Sequence, residues 1–341
     1  MLLVAGCTRT ASGGSTSRAT PLQVYTAGPT IDQVRSLMAD EKWWPGAPTF
    51  GVRPLDLEMT PPEVRFTITQ RYVHVGTGDT IKIEYDSFTT ASSATTFVNN
   101  VQASLGGNVG TSPKAGDQVL YFGQKLPTST ALYETDTVVR LGQIVIGATV
   151  RQGSGFVSDS RIGKIATQLV SRLKDVLANK VKPDEISTQD QQLLPPVGAV
   201  ITMTGVARLP VEVVAVMLQA ADAPGLTSTF TDAGVKDFVY GDYALDADLH
   251  MEVRAATFSF GSPTAAMSWI DATVGKSNLD ATGLFIQYSD VLSQYFGVFV
   301  AGSHIGMMFC KSTLDTEAAS RACEASMTRV VGVWQGSLAA A

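Results

Sequence analysis

"RLGQIVIGATV", residues 140–150, and "VAGSHIGMMFC", residues 300–310, are the two stretches on which the fold turns. The two lie over each other with Gly142 on Gly302, and each is followed by an amphipathic helix. The same ending used twice in one chain signals an internal repeat. Working back toward the N-terminus, "DSFTTASSATTFVNNV" (86–101) lies over "FSFGSPTAAMSWIDAT" (258–273), which sets Ser87-Phe88 on Ser259-Phe260, Ala94 on Ala266, Phe97 on Trp269 and Val98 on Ile270. Further back, "IDQVRSLMADEKWWPGAPTF" (31–50) is laid over "VEVVAVMLQAADAPGLTSTF" (211–230), with Val34 on Val214, Pro45-Gly46 on Pro224-Gly225 and Thr49-Phe50 on Thr229-Phe230.

One copy reads as helix, two strands, helix, three strands and a long helix. Thr30 is placed to N-cap the first helix, over 30–39. "EVRFTITQRYVHV" (63–75) and "DTIKIEYDSF" (79–88) alternate polar and apolar residues, the mark of half-buried strands, with "GTGD" turning between them. Ala94, Phe97, Val98, Val101 and Leu105 fall at helical spacing, and Ile162, Ile165, Ala166, Leu169, Val170, Leu173 and Leu177 form a longer stripe of that period. The closing helix of the second copy carries Ala319, Cys323, Met327, Val330 and Trp334. The pattern predicts an α+β fold of two tandem repeats, each an antiparallel sheet with helices packed on one face. The expected domains are 29–178 and 208–336, joined by a linker and lead-in strand at 179–207 and followed by a tail at 337–341.

The chain has 341 residues, 45% of them hydrophobic, enough for two ordinary cores. Lys and Arg number 25 against 31 Asp and Glu, a net charge of −6 without long runs of one sign, which speaks against a nucleic-acid partner. Charged residues make up only 16%, while Thr, Ser, Ala, Val and Gly are plentiful, a balance that suits β-rich extracytoplasmic proteins. No window reaches the roughly 18 consecutive apolar residues of a membrane-spanning helix.

At the N-terminus, "LVAGC" (Leu3–Cys7) has an aliphatic residue, small residues and then a cysteine, and resembles the lipobox of bacterial lipoproteins. The resemblance implies that Met1–Gly6 is the cut end of an export signal and that Cys7 carries diacylglycerol. It further implies that residues 7–28, with "TRTASGGSTSRATP", form a lipidated flexible tether. Each buried methylene of such acyl chains contributes about 0.8 kcal/mol. With Cys7 assigned to lipid, Cys310 and Cys323 remain as an even pair in an exported protein, read as one disulfide, with two buried free thiols as the alternative. The two repeats are also similar to the sensor-like and PsbP-type α+β domains of lipoproteins from high-GC Gram-positive bacteria, through "GDQVLYF", "RLGQIVI" and "SRIGKIATQLVSRL" in the first copy. The second copy departs from these with "TGLFIQY" and "VAGSHIG", and such folds host many functions.

Chemistry-bearing residues are sparse. The histidines are His74, His250 and His304, and no nucleophile elbow, zinc-protease or phosphate-loop motif is present. Ser303 and His304 are adjacent on a predicted strand and so face opposite ways. In "LDADLHMEVR", Asp246, Asp248, His250 and Glu252 line one strand face, a weak metal-ligand set that a solvated face would equally produce. Trp43 and Trp44 end the first helix where the second copy has Asp222 and Ala223. Two adjacent indoles do not both enter one core, which makes Trp43 and Trp44, with Trp334 on the last helix, the candidate partner-binding residues. The expectation is a non-catalytic lipoprotein, lipid-anchored at the extracytoplasmic face of the bacterial cell membrane or in the envelope. It would serve as accessory subunit or partner-binding scaffold of a membrane or envelope complex, with no cofactor beyond the acyl group on Cys7. The alternatives are a small-molecule or lipid binder with an apolar pocket and, last, a metal-dependent or hydrolytic enzyme.

Overall fold

A computed structural model describes residues 19–46, 49–51, 63–106, 109–128, 131–182, 187–196, 201–217, 223–245, 248–289, 294–312 and 317–339. The first domain begins with helices α1 (Pro21–Thr26) and α2 (Ile31–Met38) and short edge strands β1 (Trp43–Pro45) and β2 (Thr49–Gly51). Strands β3 (Val64–His74) and β4 (Thr80–Phe88), helix α3 (Ala91–Leu105), strands β5 (Gln118–Leu126), β6 (Leu132–Leu141) and β7 (Ile144–Gln152) and helix α4 (Asp159–Leu177) complete it. The chain continues through α5 (Thr188–Leu193), β8 (Ile201–Leu209), α6 (Val211–Met217), α7 (Ala223–Asp232), β9 (Val235–Leu245) and β10 (Asp248–Phe260). It ends with α8 (Pro263–Thr273), β11 (Leu284–Ser289), β12 (Gln294–Ala301), β13 (His304–Ser312) and α9 (Glu317–Leu338).

Both sheets are antiparallel, and their orders match: β1-β3-β4-β7-β6-β5, with β2 also on β3, against β8-β9-β10-β13-β12-β11. This is a tandem α+β fold in which β3 answers to β9, β4 to β10, and β7 to β13. The turn glycines are equivalent: Gly142 and Gly302 sit at φ 59° and 60° in the β6–β7 and β12–β13 hairpins, a left-handed conformation a side chain would strain. Ser87-Phe88 and Ser259-Phe260 likewise end equivalent strands. The pairing of "WWPGAPTF" with "DAPGLTSTF" does not hold, because Pro45 ends a strand and Pro224 lies in the first turn of α7, where its missing N–H does no harm.

Helix α4 buries Ile162, Ile165, Ala166, Leu169, Val170, Leu173 and Val176 against Phe66, Ile68, Ile83, Tyr85 and Ile146 of the first sheet, while Leu177 is exposed. Helix α9 does the same on the second sheet with Cys323, Met327, Val330 and Trp334. The shorter helices cross to the opposite faces. There α3 packs Ala94, Phe97 and Val98 on Phe88, Leu120 and Val145, and α8 packs Ala266 and Ile270 among Phe258, Phe260 and Ile305. Alternation explains this: the residues beside those facing α4 and α9 turn apolar at one end of each sheet.

Two boundaries differ from the sequence reading. The expected tether over 7–28 is already structured at α1, where Val24 and Ala27 are fully buried. Thr20 and Gln23 close a reciprocal capping box there, as Thr30 and Gln33 do on α2. The expected linker contains α5, and Leu193 and Leu194 belong to the second core. The Leu193 carbonyl accepts from both the Trp334 indole, at 3.2 Å, and the Thr257 hydroxyl. Cys7 lies outside the described residues.

Helix α1 also joins the two domains. The Tyr25 hydroxyl donates to the Val206 carbonyl of β8 at 2.9 Å, and its ring occupies the space a Cβ on Gly205 would need, 2.4 Å away. From the first sheet, Val73 enters the core formed by Ala207, Leu209, Val211 and Val213 of the second domain.

Candidate functional site

Because successive strand residues face opposite ways, β1 turns Trp43 inward and Trp44 outward. Trp43 is buried, edge-on to His74 with ring centroids 5.4 Å apart, and its carbonyl accepts from Arg35 Nε at 3.1 Å. Trp44 is 36% exposed, and the Arg35 guanidinium lies 5.2 Å from its ring centre. Trp334 is fully buried against Phe299, at 4.9 Å, so of the three candidate tryptophans Trp44 alone reaches the surface. On the same helix Val333 is 61% exposed.

His74 heads an arrangement with the outline of a proton relay. Its Nε2 is 3.1 Å from Asp40 Oδ2 and its Nδ1 is 3.0 Å from Thr77 Oγ1. The Nδ1 lone pair, however, already accepts from the backbone N–H groups of Gly76 and Thr77, at 3.2 and 3.0 Å. That fixes the proton on Nε2 and makes the imidazole a clamp for the β3–β4 turn rather than a base for Thr77. The Lys42 backbone amide, with His74, holds Asp40 below the usual carboxylate range.

His304 lies across the strands from Ser259, and Ser259 from Asp237, so the serine separates the other two. A relay needs the imidazole between hydroxyl and carboxylate. Asp237 instead accepts from Arg208, which also bonds Asp190 at 2.5 Å. Burial lowers the His304 pKa, keeping the ring neutral.

Two buried polar groups stand out that sequence reasoning did not single out as clusters. On the second sheet Asp242 accepts from Thr204 Oγ1 at 3.2 Å and faces Arg254, which reaches Gln294 at 3.3 Å and Glu252 at 3.9 Å. Burial pushes the carboxyl of Asp242 well up, and burial also lifts the Tyr240 phenol to about 12. Arg71 of β3 meets this group at the seam, within electrostatic reach of Arg254 and Tyr240 on one sheet and of Glu84 and Arg151 on its own.

On the first sheet, the face turned from α4 carries Thr67, Thr69, Glu84, Asp86, Glu134 and Asp136, all buried. Thr67 donates to Asp86 and Thr149 to Asp136, each at 2.7 Å, while Arg151 holds Glu134 at 2.5 Å. Desolvation, then the Glu84 charge, raises Asp86 well above its ordinary pKa, and burial raises Asp136 to about 7. The available signal was acids two apart on neighbouring strands, Glu84/Asp86 and Glu134/Asp136, which must share a face.

Of the metal-ligand set, Asp246 lies outside the described residues, as do the side chains of Asp248 and His250. Glu252 belongs to the Arg254 group. Among the described residues no three His, Cys, Asp or Glu side chains converge to hold a metal ion, and no helix is long and apolar enough to cross a membrane. Cys310 on β13 and Cys323 on α9 bring their sulfurs to disulfide distance, with Cα atoms 5.8 Å apart.

No family model matches the chain, and no curated protein matches its sequence. Among solved structures it is similar to the extracellular domain of PknH from Mycobacterium tuberculosis, with 12% identity over 47% of this chain and 99% of that one and a TM-score of 0.39. It is also similar to the di-domain ARO/CYC StfQ from the steffimycin biosynthetic pathway, with 10% identity over 95% of each chain and a TM-score of 0.18. TM-scores this low do not extend to a shared function.

Proposed function

We propose that this chain is a lipid-anchored lipoprotein of the extracytoplasmic membrane face that acts without catalysis, as accessory subunit or partner-binding scaffold of an envelope complex. The observation that carries this reading is Trp44: an exposed indole with Arg35 stacked on it, at the edge strand where the two domains join. Trp and Arg are the residues that dominate binding energy at protein interfaces. At His74 the Nδ1 lone pair is taken up by the turn, and at His304 the serine separates imidazole from carboxylate, so neither group lines up as a relay, in keeping with a non-catalytic role. Lipidation rests on "LVAGC" and is tested by acyl labelling: Cys7→Ala should lose label and membrane retention, and unchanged retention would refute the anchor. Partner binding is tested by a photocrosslinking residue at position 44 in living cells. The expected result is one discrete adduct, absent when the crosslinker replaces exposed Phe156; adducts from neither position would refute the scaffold reading.

A further inference from the structure

A glycine inside a strand often marks the close approach of another group. At Gly123, Gly205, Gly241, Gly297 and Gly306 that group is within the molecule: a Cβ would run into Phe156, Tyr25, Tyr243, Met327 and Phe299 respectively. At Gly147, in the middle of β7, a Cβ would meet nothing within 4 Å. Register places Glu84 and Val138 on either side of Gly147, and Lys82, Thr149, Asp136 and Phe122 in the adjoining row. The recess therefore has an acidic end and an apolar end, where Phe122 and Val138 pack beside the α3 core of Phe97 and Val98.

The carboxyls around this recess differ in one respect. Glu134 is held by Arg151 and Gln124, Glu84 lies 3.7 Å from Lys82, and Asp86 accepts from Thr67. Asp136 is 6% exposed; one of its oxygens accepts from Thr149, and Oδ2 is buried with no partner. A buried carboxyl oxygen without a donor is costly unless something supplies one.

We propose that the Gly147 recess binds an amphipathic organic cation, its ammonium or amidinium group donating to Asp136 Oδ2 beside Glu84 and its apolar body lying along Phe122 and Val138. A charge-assisted hydrogen bond at Asp136 and the ring face of Phe122 both select a cation, and the four acids of this face, Glu84, Asp86, Glu134 and Asp136, outnumber the cations Lys82 and Arg151 paired among them. This site is independent of the scaffold reading, since Trp44 lies on a different strand at the sheet edge.

The test is calorimetric titration at pH 8, above the value of about 7 to which burial lifts Asp136, of the detergent-solubilised full chain with phenethylamine, tryptamine and benzamidine, using phenylacetate and phenethyl alcohol as charge controls. Saturable binding of an amine is expected, with both controls at least about tenfold weaker. Asp136→Asn, which keeps an acceptor for Thr149, should weaken amine binding by about tenfold or more. Gly147→Val fills the recess and should abolish binding while leaving the melting temperature unchanged or raised. The proposal is overturned by equal binding of amine and alcohol, by amine binding that survives Gly147→Val, or by no saturable binding of any of the three cations at millimolar concentration.

Discussion

Replacing Gly205 by Ala should pry the two domains apart at one identifiable contact. The added methyl would sit 2.4 Å from Tyr25 Cε2 and 2.9 Å from Cζ, and the ring cannot simply swing away because its hydroxyl is bonded to Val206. Such overpacking costs about 1–3 kcal/mol, partly offset by the roughly 0.5–1 kcal/mol gained when a strand glycine becomes alanine. Tyr25→Ala alone should cost about 3 kcal/mol, the low end for a buried aromatic because the ring is only half-buried, with about 1 kcal/mol of that from the hydrogen bond. In the double variant there is no ring to clash with, so the second substitution should be stabilising by about 0.5–1 kcal/mol, leaving a coupling of about 1–3 kcal/mol. Urea denaturation of the wild type, both single variants and the double variant measures this cycle. Additivity within about 0.5 kcal/mol would refute the packing of α1 on β8.

Reduction of the Cys310–Cys323 pair should lower stability by about 3 kcal/mol, read from urea midpoints with and without reductant, and an unchanged midpoint would mean the thiols are free. Trp334→Ala should cost about 3–5 kcal/mol, since it removes a fully buried indole and its bond to Leu193; a near-neutral effect would place Trp334 at the surface. Asp136 is pushed up to about 7 in the fold, so between about pH 4 and 7 the unfolded chain ionises this group and the folded protein does not. Stability at this group is therefore present below that window and lost as pH rises through it, at up to about 1.4 kcal/mol per pH unit. Asp136→Asn should flatten that part of the stability profile, and identical slopes in wild type and variant would count against a protonated Asp136.

The repeat was legible because the features that mark it are backbone requirements. Gly142 and Gly302 are needed at positive φ in equivalent hairpins, and Ser87-Phe88 and Ser259-Phe260 end equivalent strands just before a helix. Where the copies differ in element type, as at Pro45 and Pro224, a proline and glycine in common meant only that both segments interrupt regular structure. Helix α1 was hidden by its brevity, although the Thr20–Gln23 box that starts it is present in the sequence. Alternation on β4 gave two faces but could not say that the polar one is covered. Residues 79–88 therefore read as a half-buried strand, whereas Glu84 and Asp86, with Asp136 on the same face of the sheet, are all buried. Trp43 and Trp44 were separable in principle by strand parity, but only once their segment was known to be β1 rather than a helix end.

The central claim is that this chain works by holding a protein partner through the exposed Trp44 at the joint of its two domains. Quantitative affinity purification from detergent-solubilised membranes, comparing wild type with a Trp44→Ala variant of equal melting temperature, addresses it directly. The account predicts a stoichiometric envelope protein with the wild type and its loss with Trp44→Ala. Recovery of this chain alone, or of the same partner in equal yield from both, would contradict it.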